Sequence, residues 1–462
     1  MSVAVARFAE IVGEANLLSG DAVPPDYGHD ESLTVTARQP AHVARPATAE
    51  EVAHLLRTAG ELGVPVTARG SGTGLSGAAR PAPGGLVISF ERMNAVLEID
   101  TENHVAVVQP GVTLSELDER TAAAGLTYPV HPGELSASVG GNVGTNAGGM
   151  RAVKYGVTRH HVVGLQAVLP TGEIIRTGGR IAKVSSGYDL TQLIIGSEGT
   201  LALATEVIVK LQPRLPHGAT VLAPFGTVDE VLTAVPKVVA SGLGPHVLEY
   251  IDDVTLAAIS QHEKLSLGVP EQIRESARAY LVVALENRAG DRLHGDVDEL
   301  GGLLADLGAL DVYVLEGGAA RRLVQAREKS FWTAKAFGVD DVIDVVVPRA
   351  SMPEFLRGTQ EIARKRDARV AGCGHAGDGN VHLGVFCPDP DERKALLTEI
   401  FAFGVELGGA ISGEHGIGRA KSAYFLDLED PAKIALLRRL KASFDPAGIL
   451  NPGVLIPEED AS

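Results

Sequence analysis

The chain has 462 residues, a formal net charge of −17, and 45% hydrophobic residues. This length suggests two or three domains with sizeable apolar cores. The acidic excess argues against nucleic-acid binding, because proteins that neutralise phosphates need a surplus of Lys and Arg.

Cysteine content and the N-terminus indicate the compartment. Cys373 and Cys387 are the two cysteines, which excludes a disulfide framework and a Cys-x-x-Cys metal or iron–sulfur site. We therefore expect a reducing cytoplasm. The first residues show no basic region before a long apolar stretch, so no signal peptide is expected. The sequence contains no run of about 18 apolar residues, so no membrane-spanning helix is expected. Peripheral contact with a membrane is compatible with the sequence.

The first half of the chain alternates helices and short strands. Thr-x-x-Glu capping boxes mark the starts of two helices, at Thr48 and Thr113. The stretch 140–149, rich in Gly, Asn and Thr, is predicted to be a loop. The two prolines of 213–218 indicate a domain boundary. Apolar runs predict strands at 64–68, 86–89, 104–110, 164–170, 172–178 and 201–213.

The second half has a different pattern, in which strands alternate with longer helices. Thr227 with Glu230 marks the start of one helix. Strands are predicted at 249–251, 279–286 and 312–317, and helices at 291–308, 319–336, 351–366, 391–407 and within 430–455. The fold class is therefore α+β, with a lead-in at 1–37, a first domain at 38–214 and a second at 215–462.

The glycine-rich stretch 69–77, RGSGTGLSG, contains the spacing Gly-x-Gly-x-x-Gly that also marks dinucleotide-binding folds. That fingerprint requires a helix to begin at the last glycine, so that its N-terminus holds the pyrophosphate. Here Pro81, Pro83 and the strand 86–89 follow instead. The stretch therefore joins two strands. Its backbone N–H groups can still surround an anion, and a purely structural loop is the alternative.

Two further motifs follow the first in order: GGNVGTNAGG at 140–149 and GSEGTL at 196–201. Together the three motifs resemble the FAD domain of the vanillyl-alcohol oxidase/p-cresol methylhydroxylase (PCMH) type, over about 38–214. The resemblance implies a PCMH-type FAD-binding domain of two subdomains. It also implies non-covalent FAD, because some members attach the flavin to a His near the first motif, and none lies between Arg69 and Gly85.

The same resemblance assigns the cofactor contacts. One departure is Ala202, where the family often has Gly. The segment FDPAGILNPG at 444–453 resembles the family's closing segment, whose Asn returns to the flavin, although a plain turn is the alternative. The assigned residues are Arg69, Gly70, Ser71, Gly72, Thr73, Gly74, Leu75, Ser76, Pro132, Gly133, Ser138, Gly140, Gly141, Asn142, Thr145, Asn146, Gly148, Gly149, Glu198, Gly199, Ala202 and Asn451.

Two histidine motifs lie in the second half: GHAGDGNVH at 374–382 and SGEHGIGRAK at 412–421. His375 and His382 flank a Gly-Asp-Gly turn, which folds the chain back and lets the two rings converge. Glu414 is the natural third ligand. Two imidazoles and one carboxylate describe a catalytic divalent site, with Zn²⁺ favoured and Mn²⁺ as the alternative. Histidines satisfied within a core are the competing interpretation.

Both histidine motifs resemble the C-terminal domain of FAD-linked 2-hydroxy-acid dehydrogenases, over about 215–456. This group contains D-lactate dehydrogenase, D-2-hydroxyglutarate dehydrogenase and the glycolate oxidase flavin subunit. The resemblance implies an α+β substrate (cap) domain whose C-terminal segment returns to the flavin. It implies these roles: His375, His382 and Glu414 as metal ligands, His415 as the base, and Arg327 and Asn380 as substrate contacts.

The expected function is oxidation of a small D-2-hydroxy acid to the 2-oxo acid, by hydride transfer to flavin N5. D-lactate and glycolate are favoured, because Phe331 stands where some members have a hydroxyl residue. D-2-hydroxyglutarate dehydrogenase is one alternative, and a metal-dependent hydrolase without flavin is another. A separate electron acceptor is expected: quinone, cytochrome, electron-transfer flavoprotein or iron–sulfur partner. The oligomeric state stays open, with a homodimer as one option.

Overall fold

A computed structural model describes residues 3–315 and 317–457. The strands of the first half are β1 (Leu17–Ser19), β2 (His42–Ala44), β3 (Val66–Arg69), β4 (Leu86–Ser89), β5 (Val96–Asp100), β6 (Val105–Val108), β7 (Leu126–Thr127), β8 (Val162–Val168), β9 (Ile174–Gly178), β10 (Leu203–Lys210) and β11 (Gln212–Pro213). Its helices are α1 (Val3–Val12), α2 (Ala49–Leu62), α3 (Leu114–Ala122), α4 (Val139–Thr145), α5 (Ala152–Tyr155) and α6 (Leu190–Ile194).

These elements form two subdomains, each with its own sheet. The first sheet has the order β1-β2-β4-β3, and β4 pairs in parallel with both β2 and β3. The second has the order β5-β6-β10-β8-β9 and is antiparallel. Helix α2 begins at Thr48, whose side chain accepts the N–H of Glu51, and buries Leu55 and Leu56 against the first sheet. This confirms the predicted two-subdomain arrangement.

The second half adds seven strands and ten helices within the described residues. The strands are β12 (His217–Phe225), β13 (Val247–Asp252), β14 (Ala279–Asn287), β15 (Tyr313–Leu315), β16 (Asp341–Val346), β17 (Arg369–His375) and β18 (Asn380–Phe386). The helices are α7 (Val228–Ala240), α8 (Asp253–His262), α9 (Glu271–Ser276), α10 (Gly290–Asp306), α11 (Gly317–Glu328), α12 (Ser330–Ala336), α13 (Met352–Lys365), α14 (Pro390–Glu406), α15 (Ser422–Leu428) and α16 (Pro431–Phe444).

The seven strands form one antiparallel sheet with the order β15-β12-β14-β13-β17-β18-β16. Because successive side chains of a strand point to opposite faces, Val221 and Ala223 of β12 lie in the core formed with α7, α10, α13 and α14. Leu222 between them packs on the other face, with α8 and α11. This second face carries the candidate site where it reaches β17, β18 and β16.

The structure corrects three local predictions. Residues 139–145 form α4 rather than a loop, because the Ser138 hydroxyl accepts the N–H of Gly141 at the start and Asn146 adopts φ 54° at the end. The single helix predicted at 319–336 is two helices, α11 and α12. The strand predicted at 312–317 is shorter, and Glu316 lies outside the described residues.

After α16 the chain returns to the first subdomain. Leu450 forms a bridge with Val66 of β3, and Ile449 and Leu450 are buried in the core beneath α2. The C-terminal segment therefore ends beside the glycine-rich stretches. None of the described helices is long and apolar enough to cross a lipid bilayer.

Candidate active site

The glycine-rich stretches of the first half enclose a cavity of about 240 Å³, which we call the glycine-loop cavity. Residues 70–75 form one wall, the start of α4 forms a second, and 197–199 form a third. Close backbone packing explains the glycines. A Cβ on Gly140 would lie 2.6 Å from the Cβ of Pro110 and 2.9 Å from its carbonyl oxygen.

Most residues predicted to contact the cofactor line this cavity. The exceptions are Arg69, Ser76, Asn146 and Gly149. Three of them contact neighbouring loops instead. Arg69 Nη1 donates to the His29 carbonyl over 2.6 Å, the Ser76 hydroxyl donates to the Gly416 carbonyl over 2.9 Å, and Asn146 ends α4. These contacts place the three residues behind the cavity wall, where they support it.

Asn142 of α4 tests whether the cavity fits FAD. Its side chain lines the cavity and is 3% exposed, and its Nδ2 has no hydrogen-bond partner within the described part of the chain. A buried donor without a partner costs about 1–3 kcal/mol. The carbonyl, ring-nitrogen and ribityl oxygen acceptors of FAD would satisfy it, so the residues present fit the cofactor.

Glu198 links this cavity to the second half of the chain. Its Oε1 accepts the N–H of Ile417 over 2.8 Å, and its Oε2 accepts the N–H of Gly418 over 2.7 Å. Burial raises the pKa of Glu198 to about 7, against these two hydrogen bonds. Asn451 lines the same cavity and donates to the Glu198 carbonyl over 2.9 Å. Loops far apart in sequence therefore meet at the cavity.

Three histidines and a glutamate converge at the ends of β17 and β18. We call His375, His382, Glu414 and His415 the histidine cluster. His375 ends β17, a tight turn follows, and His382 lies in β18. The Nε2 atoms of His375 and His382 lie 3.1 and 3.3 Å from Glu414 Oε1. One ligand atom from each of these three residues lies within 4.8 Å of the others, which is the convergence that the sequence predicted.

The donor set of the histidine cluster fits a divalent cation. Two imidazoles and a carboxylate are ligands that Zn²⁺ and Mn²⁺ accept. His375 Nδ1 lies 2.7 Å from Glu249 Oε1, and such a carboxylate behind a ligating histidine fixes its ring and tautomer. His382 Nε2 lies 2.7 Å from Asn380 Oδ1, a hydrogen bond that a bound cation would replace. The metal itself stays a prediction.

Burial and neighbouring charges set the protonation of the cluster. Burial opposes the charge of Glu414, but His375 outweighs it and lowers the Glu414 pKa to about 2. Burial lowers the pKa of His415 and, more strongly, that of His382. Burial also opposes the charge of His375, but Glu249 and Glu414 outweigh it and raise its pKa well above the usual value. The lowered pKa favours the neutral form of His415, which can accept a proton.

Asp344 of β16 holds the loop that carries half of the cluster. It is fully buried, and burial opposes its charge, but His415 and Lys421 outweigh this and keep the Asp344 pKa well below its usual range. Its Oδ2 accepts hydrogen bonds of 2.7–3.2 Å from Ser412 Oγ and from the backbone N–H groups of Gly413, Glu414 and His415. A single carboxylate therefore fixes the positions of Glu414 and His415.

A second cavity of about 150 Å³, which we call the side cavity, opens beside the cluster. Arg327 lines it and is 5% exposed. Its Nη2 lies 2.7 Å from Glu249 Oε2, and its Nη1 donates to the Ser330 hydroxyl over 3.1 Å. Nη2 and Nε make no well-aligned hydrogen bond within the described residues, so the contact with Glu249 is an ion pair. Arg327 thus brings a guanidinium group to the wall of the side cavity.

The two cavities meet at the histidine cluster, since Glu414 and His415 line both. The approach is close: a Cβ on Gly148 would lie 2.6 Å from Glu414 Oε2. Asn380, predicted as a substrate contact, is not among the residues that line either cavity, and its Nδ2 donates to Asp344 Oδ1 over 2.9 Å. The structure therefore places Asn380 behind His382, in a supporting position.

Family models match both halves of the chain. The model described as FAD binding domain matches residues 40–178, and the one described as FAD linked oxidases, C-terminal domain, matches residues 214–455. The chain belongs to the FAD-linked oxidase family. It is similar to an uncharacterized FAD-linked oxidoreductase of Mycobacterium tuberculosis (strain ATCC 25618 / H37Rv), with 68% identity over 98% of this chain and 99% of the relative.

A D-lactate dehydrogenase of Anaerostipes hadrus is 35% identical over 97% of this chain and 96% of its own length. Among solved structures, p-cresol methylhydroxylase with substrate bound matches with a TM-score of 0.81 at 17% identity, over 98% of this chain and 96% of that chain. The predicted PCMH-type fold is confirmed. This FAD-linked oxidase is an FAD-dependent oxidoreductase, which displaces the alternative of a flavin-free hydrolase.

The sequence did not identify three residues that support the site. Glu249 orients His375, Asp344 holds the 412–415 loop, and the Lys421 Nζ lies 3.6 Å from Asp344 Oδ2. A signal was present for the two acids, since each has two apolar residues on either side, in VLEYI and in VIDVV. Buried acids of this kind are rare unless they have partners.

Proposed function

We propose that this oxidoreductase converts a 2-hydroxy acid to the corresponding 2-oxo acid. The observation that carries the proposal is the position of His415, which lines both cavities beside Glu414 and whose pKa is lowered by burial. The relative named D-lactate dehydrogenase supports this substrate class and the D configuration. Within it, D-lactate and glycolate are the small substrates that the sequence favours.

Arg327 would orient the substrate by its carboxylate. It lines the side cavity, and a guanidinium binds a carboxylate in a fixed plane. FAD in the glycine-loop cavity would supply the two-electron acceptor for the hydrogen on the hydroxyl-bearing carbon. A divalent cation held by His375, His382 and Glu414 would supply Lewis acidity toward the substrate oxygens.

His415 would take the hydroxyl proton. Its Nδ1 lies 3.9 Å from Asp344 Oδ2, so a proton on Nδ1 is favoured and Nε2 is left to accept the second one. The buried carboxylate then stabilises the imidazolium that forms. Positioned bases of this kind accelerate reactions by roughly 10²–10⁴-fold. The substrate loses one proton to His415 and one hydride, which balances its conversion to the 2-oxo acid.

The reduced enzyme must pass two electrons onward. We propose a separate acceptor for this step: a quinone, a cytochrome, an electron-transfer flavoprotein or an iron–sulfur protein. A cytoplasmic location is the expectation that accompanies it.

Substrate oxidation is tested with the purified holoenzyme under anaerobic conditions. D- and L-2-hydroxy acids are mixed with the enzyme one at a time, and flavin absorbance is followed in a stopped-flow instrument. We expect rapid bleaching by at least one D-2-hydroxy acid and formation of one 2-oxo acid per flavin. Absence of bleaching by every acid tested, with FAD bound, would contradict the proposal.

A further inference from the structure

The floor of the side cavity follows from the register of three strands. Two residues beyond His382 along β18, Gly384 lies between Val342 of β16 and Ala371 of β17. Residues two apart share a face of the sheet, so this strip is on the same face as His382. Its members are small and uncharged, so they leave space above this face of the sheet next to the histidine cluster.

The walls of the side cavity are mostly apolar, although the hydroxyl residues Thr255, Ser330 and Thr333 also line it. Ala258 of α8 and Ala334 of α12 face it from above the sheet, and Phe386 at the end of β18 closes one side. Val254 and Phe337 also line the cavity, and they are 63% and 47% exposed. Apolar side chains that remain exposed beside a cavity form an entrance suited to an apolar ligand.

Charge is confined to the end of the side cavity that meets the histidine cluster. Arg327 is the one Lys or Arg among the described residues that line it. Glu328 also lines it, and its carboxylate pairs with His131. One substrate carboxylate therefore has a cation, whereas a second carboxylate farther along would be buried without one, which is strongly disfavoured.

The side cavity extends beyond the end that a substrate carboxylate would occupy beside Arg327. It has a volume of about 150 Å³ and is lined from Arg327 past Ala258 to the exposed side chains of Val254 and Phe337. A side chain longer than the methyl group of lactate would lie in that outer part. Space that is apolar and unfilled forfeits contacts that a larger side chain would make.

We propose that the side cavity binds the side chain of an apolar 2-hydroxy monocarboxylic acid, one larger than the methyl group of lactate. This inference rests on the proposed function and names its substrate class. Burial of each further methylene is worth ~0.8 kcal/mol, which corresponds to about fourfold in kcat/KM. The preference should therefore rise along a homologous series until the cavity is full.

The test uses the FAD-loaded enzyme with a dye as electron acceptor. Lactate, 2-hydroxybutyrate, 2-hydroxy-4-methylpentanoate, 3-phenyllactate and 2-hydroxyglutarate are compared as separate enantiomers. We expect kcat/KM to rise about fourfold per methylene from lactate upward and to be lowest for 2-hydroxyglutarate. A maximum at lactate or 2-hydroxyglutarate would overturn the inference and leave the proposed function intact. No flavin bleaching by any acid would overturn the proposed function instead.

A pair of variants locates the preference in the cavity. Ala258→Leu narrows it, whereas Ala257→Leu makes the same change at an exposed neighbour on α8 that does not line it. We expect Ala258→Leu to lower kcat/KM for 3-phenyllactate at least tenfold and to change the value for lactate less than about threefold, while Ala257→Leu changes neither. Ala334→Leu on α12 repeats the test from another helix.

Binding is measured alongside turnover. The affinity of each variant for phenylpyruvate and for pyruvate is read from the perturbation of flavin absorbance, with FAD content and Tm as checks on folding. Weaker binding of phenylpyruvate alone supports the cavity assignment. Equal losses for both 2-oxo acids in Ala258→Leu and Ala334→Leu, with FAD content unchanged, would overturn it.

Discussion

The two halves of the chain contribute different kinds of groups to the site. The glycine-loop cavity is mainly backbone, and its close packing leaves no room for a Cβ at positions such as Gly140. The histidine cluster is made of titratable side chains, and buried acids, Glu249 and Asp344, hold them in place. Substitutions in the first half should therefore release the cofactor. Substitutions in the second half should leave the cofactor bound and lower turnover.

The largest effect is expected at Gly140. A Cβ there would meet both the Cβ and the carbonyl oxygen of Pro110, so Gly140→Ala must displace the start of α4. We expect FAD affinity to fall at least about tenfold, which is 1.4 kcal/mol, and the isolated protein to lose its flavin and turnover. Flavin absorbance per protein measures this.

Gly302→Ala is the matched control for that variant. Gly302 lies in α10, and a Cβ there would have nothing within 4 Å. This variant should keep full FAD content and activity. Normal FAD content in Gly140→Ala would show that the cavity does not depend on close backbone packing.

The contribution of the second half of the chain is tested at Glu414. Its Oε1 lies 3.1 and 3.3 Å from the two histidine Nε2 atoms, so Glu414→Gln removes the charge at the centre of the donor set. Turnover should fall at least ~100-fold, and metal content by mass spectrometry should fall with it. FAD absorbance should stay unchanged.

Chelation makes the same separation without mutation. Dialysis against a strong chelator should abolish turnover while leaving FAD bound, and Zn²⁺ or Mn²⁺ should restore it. The matched control for Glu414→Gln is Glu354→Gln, which makes the same change at an exposed position on α13. Full activity after chelator treatment would show that turnover does not depend on a bound metal.

A smaller effect on turnover is expected at Asp344. Asp344→Asn keeps the shape of the side chain, but one carboxylate oxygen becomes an NH₂ group, and the charge opposite Lys421 and His415 is lost. Removing one partner of a buried ionic group costs about 3–5 kcal/mol. We expect turnover to fall about 10–100-fold and the urea midpoint to drop, with FAD retained.

Asp298→Asn makes the same chemical change at an exposed position of α10 and should match the wild type in both measurements. If Asp344→Asn lost FAD before it lost activity, the division of labour between the two halves would be wrong.

The smallest effect is expected at Glu198, which joins the two halves. Its pKa is raised to about 7 by burial, so the fold favours the protonated form. That contribution is fully present below the ordinary carboxyl pKa and is lost as the pH rises through about 7. Glu198→Gln does not titrate there. The stability advantage of the wild type over this variant should therefore shrink from pH 5 to pH 8, by at most about 3 kcal/mol.

Urea unfolding of both proteins at each pH measures that difference. A difference that is constant, or that grows as the pH rises, would show that the hydrogen bonds from Ile417 and Gly418 keep Glu198 ionised throughout.

What the sequence could predict follows the same division. The glycine motifs identified the cavity because glycine at fixed spacing records backbone geometry directly, and the loop at 69–77 was placed between strands by the prolines that follow it. The prediction of a loop was wrong for 139–145, because α4 contains three glycines and therefore does not look helical from its sequence. Packing of Val139 and Val143 and the Ser138 cap outweigh the low helix propensity of glycine.

In the second half the Gly-Asp-Gly turn predicted that His375 and His382 converge, whereas Glu414 came from the second histidine motif and His415 from the family resemblance. The sequence could not predict which residues lie behind them. Glu249, Asp344 and the strip at Gly384 reach the site through strand order and register, with β13 beside β17 and β16 beside β18. The first pairing joins residues 122 positions apart, Ile251 and Cys373, and the second joins residues 38 apart, Asp344 and His382, so nothing local in the sequence encodes them.

The most direct test of the central claim is the turnover of His415→Ala beside that of His294→Ala, an exposed histidine of α10. Both variants should keep FAD. With a saturating D-2-hydroxy acid, His415→Ala should reduce flavin at a rate roughly 10²–10⁴-fold below the wild type, while His294→Ala matches it. A His415→Ala enzyme that reduces its flavin within about threefold of the wild-type rate would contradict the assignment of His415 as the proton acceptor between the two cavities.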